Sequence, residues 1–182
     1  MGENPTVGFI GVGLMSWGMT KNAVEKGLST LVIAHRKREA VDDLVTRGAV
    51  EVSTVQEMAA QADFIVLCVT GSPQVEENLD KIMETMRPGL VVIDTSTAEP
   101  ASTRELAAKL AAKGGTFVDA PLSRTPSHAW DGELTTFVSG SDEIVEKVRP
   151  ILSPYERVII PVGGDAGSAY SIKPVHNLVA IG

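Results

Sequence analysis

The first residues that could do chemistry are two glycines set between an apolar run and a helical pattern. Thr6 to Ile10 reads as a buried strand, Gly11-Val12-Gly13-Leu14-Met15-Ser16 follows it, and Met15, Met19 and Ala23 then recur at four-residue spacing. A strand that turns through glycines into a helix offers an anion free backbone N–H groups and the positive end of the helix dipole. Gly11 permits the tight turn, and Gly13 removes the Cβ that would hold a pyrophosphate away. The expected ligand is therefore a dinucleotide, held by Gly11, Val12, Gly13, Leu14 and Met15. The third glycine of such a fingerprint is missing. Ser16 stands in its place, with a hydroxyl able to face the cofactor, and Gly18 comes two residues later.

A second cluster lies past the second expected strand, Leu31 to Ala34. An acid about 20 residues beyond the glycines would bind the ribose 2′-OH of NAD, whereas an arginine there accommodates a 2′-phosphate. This chain reads His35-Arg36-Lys37-Arg38, with no acid before Glu39. In an acidic protein such a run could be a solvated loop, but its place directly after strand two favours a phosphate site. Arg36 is the best candidate because a guanidinium forks onto phosphate oxygens, and His35 and Lys37 flank it. NADP(H) is expected in preference to NAD(H).

An alternating chain must position these residues. Helical patterns fall at Glu39 to Arg47, at Pro100 to Lys113 and after Ser72-Pro73, where Ser72 is the expected N-cap and Val75, Leu79, Ile82, Met83 and Met86 form the buried stripe. Strands are expected at Val50 to Val52, Ala62 to Val69, Leu90 to Asp94 and Phe117-Val118. The unbroken Ile65-Val66-Leu67-Cys68 suits a strand covered on both faces. This rhythm predicts an α/β fold of Rossmann type, a doubly wound and mainly parallel sheet. Beyond Asp119 the pattern loosens into two strands, Leu134 to Val138 and Val158 to Ile160, around a helix at Glu143 to Leu152, and a new helix starts near Ala166.

Bulk properties set bounds. The 182 residues are 43% hydrophobic and 21% charged, ordinary for a globular protein. A net charge of −7 argues against nucleic-acid or anionic-membrane partners, which want a basic face. Cys68 is the chain's one cysteine, so no internal disulfide forms and a reducing compartment is the simpler expectation. With no basic leader at Met1-Gly2-Glu3-Asn4-Pro5 and no apolar run near the ~20 residues that cross a bilayer, a cytoplasmic location is expected. No metal site is expected.

The residues quoted so far, Gly8-Phe9-Ile10-Gly11-Val12-Gly13-Leu14-Met15 with Met19 and Asn22, resemble the cofactor signature of the β-hydroxyacid dehydrogenases, the family of 3-hydroxyisobutyrate dehydrogenase, tartronate semialdehyde reductase and their relatives. The resemblance runs over essentially the whole chain. It implies that Asp94-Thr95-Ser96-Thr97 places Thr97 at the nicotinamide end, and that Val69, Thr70 and Val75 complete the cofactor contacts. Thr70 stands where the family usually has proline. Asp119-Ala120-Pro121-Leu122-Ser123 is similar to the family's substrate loop, in which a serine precedes two glycines. Here Arg124 and Thr125 replace those glycines, as in the sulfolactaldehyde reductase branch. The resemblance implies that Ser123, Arg124 and Thr125 form an anion clamp for a carboxylate or sulfonate.

Gly167-Ser168-Ala169-Tyr170-Ser171-Ile172-Lys173-Pro174-Val175-His176-Asn177 resembles the family's catalytic helix. Lys173 is the implied general acid/base, and Asn177 is a substrate contact one turn on. His176, normally asparagine, is a third candidate for binding the acid. Pro174 is expected to push Lys173 out of helical geometry. The resemblance implies an oxidoreductase moving hydride between NADP(H) and a small 3-hydroxy acid or its semialdehyde. A sulfolactaldehyde reductase-like enzyme, an imine reductase and a non-catalytic NADP-binding module are the rival readings. The implied organisation is a cofactor domain at 1–165 and the start of an interdomain helix at 166–182. A helical domain beyond would complete the active site and a homo-oligomer, so these residues alone should bind NADPH but turn over poorly.

Overall fold

The computed structural model describes residues 4–35 and 37–173. Arg36 and the expected site residues His176 and Asn177 lie outside the described residues. Six parallel strands form the main sheet: β1 (Thr6–Ile10), β2 (Ser29–Val32), β3 (Val50–Glu51), β4 (Phe64–Leu67), β5 (Val91–Asp94) and β6 (Thr116–Asp119). Their spatial order is β3-β2-β1-β4-β5-β6. The order reverses between β1 and β4, so a crevice opens outside their carboxyl ends.

Side chains alternate across a strand, and both faces of this sheet are buried. Val7, Phe9, Val66 and Ile93 share one core with Met19 and Ala23 of α1 (Leu14–Glu25). Ile10, Ile65, Leu67 and Val92 share the other with α3 (Val55–Gln61), α4 (Ser72–Thr85) and α5 (Pro100–Ala112). Leu79 and Ile82 of α4 are fully buried, each contributing about 1.5–3 kcal/mol of apolar burial. α2 (Glu39–Thr46) lays Val41 and Leu44 over Val32 near the sheet edge.

The looser region is a three-stranded sheet, β7 (Leu122–Ser123), β8 (Leu134–Ser139) and β9 (Glu156–Gly163), with β7 antiparallel and β9 parallel to β8. α6 (Pro126–Asp131) and α7 (Asp142–Leu152) connect its strands. Residues 168–173 are helical.

Several elements depart from the sequence reading. α3, β7 and α6 are additional. α3 opens where the Thr54 hydroxyl accepts from Glu57 N–H at 3.0 Å while the Glu57 carboxylate accepts from Ser53 N–H at 2.8 Å, a variant of the capping box. Ser72 caps nothing: α4 starts at it, Gly71 is the N-cap, and the Ser72 hydroxyl accepts from Glu99 N–H at 3.0 Å. It ties the loops after β4 and β5 together.

α1 is seated on α6 unusually closely. A Cβ on Gly18 would lie 2.5 Å from Trp130 N and 2.6 Å from the Ala129 carbonyl carbon. The Asn22 amide donates to the Gly18, Ala129 and Trp130 carbonyls at 2.9, 2.9 and 3.1 Å. Asn22 therefore ties two helices together. Trp17 and Trp130 meet edge to face at 5.9 Å across the same junction, a geometry that aromatic quadrupoles favour.

Candidate functional site

A cleft of about 740 Å³ lies at the carboxyl ends of β1, β2 and β4. Of the expected cofactor residues it brings together Gly11, Val12, Gly13, His35, Lys37, Val69 and Thr70. Gly11 has φ +88°, a conformation that suits glycine, and its missing side chain leaves room for the Cys68 carbonyl, which a Cβ would strike. Gly13 differs. Its φ is −101°, and a Cβ there would meet only the Gly11 carbonyl at 3.9 Å. The protein itself leaves that space open.

Gly13 is also the N-cap of α1, which has no side-chain cap. The first N–H groups of a twelve-residue helix are left to an anion. The site thus fits a dinucleotide pyrophosphate. Leu14 is 80% exposed, Met15 is partly buried against the core, and neither lines the cleft wall. Val75 is fully buried on the inner face of α4 with Leu79, so a ligand in the cleft does not reach its side chain. Ser16 is fully buried too, its hydroxyl 3.4 Å from that of Thr20. It does not face the cleft.

The cationic run after β2 is divided in its roles. Arg38 forks onto Glu51 at 3.0 and 2.9 Å and reaches Asp42 at 3.0 Å, and these bonds raise its pKa. It is committed to the protein. His35 and Lys37 instead face the cleft. Lys81 lines the same end, 2.7 Å from Glu77, whose carboxyl it holds below the ordinary range. Ser53, Gln56 and Asn78 also line the cleft; no spacing in the sequence singled them out, because they converge from the loop before α3, from α3 and from α4 only on folding.

At the other end, the loops after β4 and β5 are pinned. Val69 N–H donates to the Ser96 hydroxyl at 3.0 Å, and Ser96 N–H to the Asp94 carboxylate at 3.0 Å. The second Asp94 oxygen has no partner among the described residues, and burial pushes this carboxyl up. Thr97 is exposed just beyond.

Ser123 ends β7, and Arg124 and Thr125 are exposed. Arg124 has φ +88° and is the one non-glycine residue with positive φ among those described. An arginine here keeps a glycine's backbone, at a strain of about 1–3 kcal/mol. The Thr125 hydroxyl lies 2.7 Å from His128 Nδ1.

Lys173 is the last described residue of the helical stretch 168–173. The pre-proline preference does not displace it, since the turn is anchored elsewhere. Burial lowers its pKa, while Cys68, at the end of β4, acts on it in the opposite direction. Lys173 is half-buried, and its charge is felt by Cys68 of the cleft wall. Sequence reasoning missed the anchor. Asp119, fully buried at the end of β6, accepts Gly167 N–H at 2.8 Å on Oδ1 and Tyr170 N–H at 3.1 Å on Oδ2, and the Ser139 hydroxyl donates to it as well. The Tyr170 hydroxyl donates to the Asp94 carbonyl at 3.1 Å. Among the described residues no group of three His, Cys, Asp or Glu side chains could hold a metal ion.

Strand order, glycine turn and uncapped helix together define a doubly wound, dinucleotide-binding domain. The chain belongs to the family described as the NAD binding domain of 6-phosphogluconate dehydrogenase, matched over residues 6–164. It is 33% identical over 183 residues to 2-(hydroxymethyl)glutarate dehydrogenase of Eubacterium barkeri, covering 98% of this chain and 60% of that protein. To 3-sulfolactaldehyde reductase of Escherichia coli K12 it is 32% identical over 178 residues, 96% of this chain and 59% of the relative. The solved 3-hydroxyisobutyrate dehydrogenase of Mycobacterium tuberculosis, determined with L-serine, superposes with a TM-score of 0.90 at 26% identity, over 97% of this chain and 60% of that one. The chain thus spans about six-tenths of the length of the curated relatives it matches. The expected fold and the resemblance to the β-hydroxyacid dehydrogenases both hold.

Proposed function

We propose that the chain is the cofactor-binding part of an oxidoreductase that moves a hydride between NADP(H) and a small 3-hydroxy acid or its semialdehyde. The observation that carries this reading is the cleft at the carboxyl ends of β1, β2 and β4, where the Gly11–Gly13 turn leaves the start of α1 without a side-chain cap; a half-buried Lys173, its charge felt by Cys68 of the cleft wall, supports it. Gly11, Val12 and Gly13 hold the pyrophosphate, and Val69, Thr70 and Thr97 border the nicotinamide end. When bound, the nicotinamide supplies or accepts the hydride.

Reduction of an aldehyde leaves an alkoxide, which needs a proton from a positioned acid. Lys173 donates it, and takes it back in the oxidative direction. Ser123, Arg124 and Thr125 orient the substrate's acid group, with Asn177 and His176 completing the pocket. In this reading residues 166–182 open an interdomain helix, a further helical domain supports a homo-oligomer, and the protein works in the cytoplasm.

Preference for NADP(H) rests on the opposite fates of the cations after β2. Arg38 is spent on Glu51 and Asp42, whereas His35 and Lys37 face the cleft and Arg36 lies between them. Stopped-flow reduction of a panel of semialdehydes, sulfolactaldehyde and cyclic imines by the full-length protein tests the whole reading. An acid-bearing aldehyde should be turned over best, with NADPH. Turnover of imines alone, or of nothing, would sink the substrate assignment. Arg36→Ala should lower the NADPH-over-NADH preference by about tenfold or more, which is about 1.4 kcal/mol. An unchanged ratio would refute the phosphate site.

The pH dependence has a definite sign. Lys173 must be protonated to act as the acid, and its pKa is lowered by burial. The reductive rate should therefore fall with rising pH, beginning below the ordinary lysine range. A rate flat up to the value of a free lysine would remove Lys173 from that role.

A further inference from the structure

Asp94 and Asp119 are register partners at the carboxyl ends of β5 and β6, and both are fully buried. They differ in what they bind. Asp94 serves its own loop through Ser96 N–H. Asp119 reaches across to a turn 48 and 51 residues further along the chain. Its two oxygens accept two backbone N–H groups of the turn that leads into Lys173, and its orientation is itself held. The Ser139 hydroxyl donates to Oδ1, and the Asp119 N–H lies 3.3 Å from the same hydroxyl.

The turn has no slack. Gly167 sits at φ +92°, with the space of its missing Cβ taken by the Pro100 carbonyl oxygen 2.8 Å away. Tyr170 is buried, and its hydroxyl is bonded to the β5 backbone. Lys173 follows Tyr170 by three residues, less than one helical turn. Fixing Gly167 and Tyr170 to the sheet fixes where the lysine stem leaves the helix.

We propose that Asp119 is a positioning residue for Lys173: it binds the turn 167–170 to the end of β6 and so sets the lysine against the cofactor cleft. A buried carboxylate that accepts hydrogen bonds at a helix start satisfies orphan N–H groups and favours the helix dipole. Here that interaction joins the sheet to the proton donor. Neither the glycine fingerprint nor the cationic run has any part in it.

The inference rests on the proposed role of Lys173, so the test has one arm that needs no substrate. In the full-length protein, Asp119→Asn keeps the size of the side chain but sets an amide N–H against one of the turn's N–H groups. NMR titration of labelled lysine side chains should then show the Lys173 pKa rising towards that of a free lysine, as the ammonium gains solvent. Loss of a negative charge alone moves a lysine pKa downward. The sign therefore separates release of the turn from simple electrostatics, and a fall or no change overturns the proposal.

In the second arm, kcat should drop by about 100-fold, the scale of a 1 Å misplacement, with the Kd for NADPH within about twofold. The same substitution on a Lys173→Ala background should cost nothing more. Equal losses on both backgrounds would overturn the positioning role. If the wild-type protein turns over no aldehyde, the oxidoreductase reading fails while the lysine titration still decides the role of Asp119. Should Asp119→Asn not fold, Ser139→Ala, which loosens only the carboxylate, takes its place. An unchanged Lys173 titration in that variant overturns the proposal.

Discussion

Gly11 and Gly13 are one residue apart and answer to different constraints. Gly11 serves the fold, since its φ is positive and a side chain would strike Cys68. Gly13→Ala should leave thermal stability within about 1 kcal/mol, because the protein leaves that space open, while NADPH affinity measured by fluorescence collapses. Gly11→Ala should lower both. Arg124 presents the reverse trade. Arg124→Gly removes a strained backbone and should stabilise the protein by about 1 kcal/mol, yet raise the KM for the acid substrate; a variant with an unchanged KM would dismiss the clamp. Glu156 is buried, with neither oxygen partnered among the described residues, and burial pushes its carboxyl up to about 9 from an ordinary 4.5. Its folded form stays protonated while the unfolded form ionises. The stabilisation is therefore whole below about pH 4.5 and is lost progressively as pH rises towards 9. At about 1.4 kcal/mol per unit, Glu156→Gln should gain up to about 3 kcal/mol at neutral pH in urea unfolding and flatten the slope. A variant no more stable at pH 8 than at pH 5, relative to wild type, would contradict this.

Elements were legible in the sequence in proportion to how much of their signal is local. β1 and β4 stood out as apolar runs, α4 as a stripe through Val75, Leu79 and Ile82, and the α1 start as its glycines. α3 was equally local, and Thr54 with Glu57 three residues on was the available sign. Thr54→Ala should cost about 1 kcal/mol by removing that cap, read as a lower melting temperature. β7 and α6 were not legible. Two and six residues long, they owe their shape to β8 and α1 rather than to propensity. Gly18 is the clearest case: missed as a spacer in sequence, it lets α6 lie on α1 at backbone contact distance. Gly18→Ala should cost about 1–3 kcal/mol through that contact, and a melting temperature unchanged within a degree would argue that the helices slide apart freely.

For the molecule as a whole, the doubly wound order followed from alternation alone, because a parallel sheet buried on both faces requires helices between its strands. The candidate site divided differently. Its phosphate end was readable because glycines and cations cluster along the chain. The anchor of the turn that leads into Lys173 was not, because Asp119, Ser139 and Tyr170 are far apart in sequence and meet only through the sheet. Val75 shows the converse, a residue near the cleft in sequence whose side chain the core claims. The seat of α1 on α6 has one more consequence. α1 begins at the cleft, and α6 leads directly out of the Arg124 loop, while the chain's only two tryptophans, Trp17 and Trp130, touch across the joint. Intrinsic emission from this unlabelled protein is thus a native gauge of the joint between these two helices, and its colour and intensity should report whenever either one shifts.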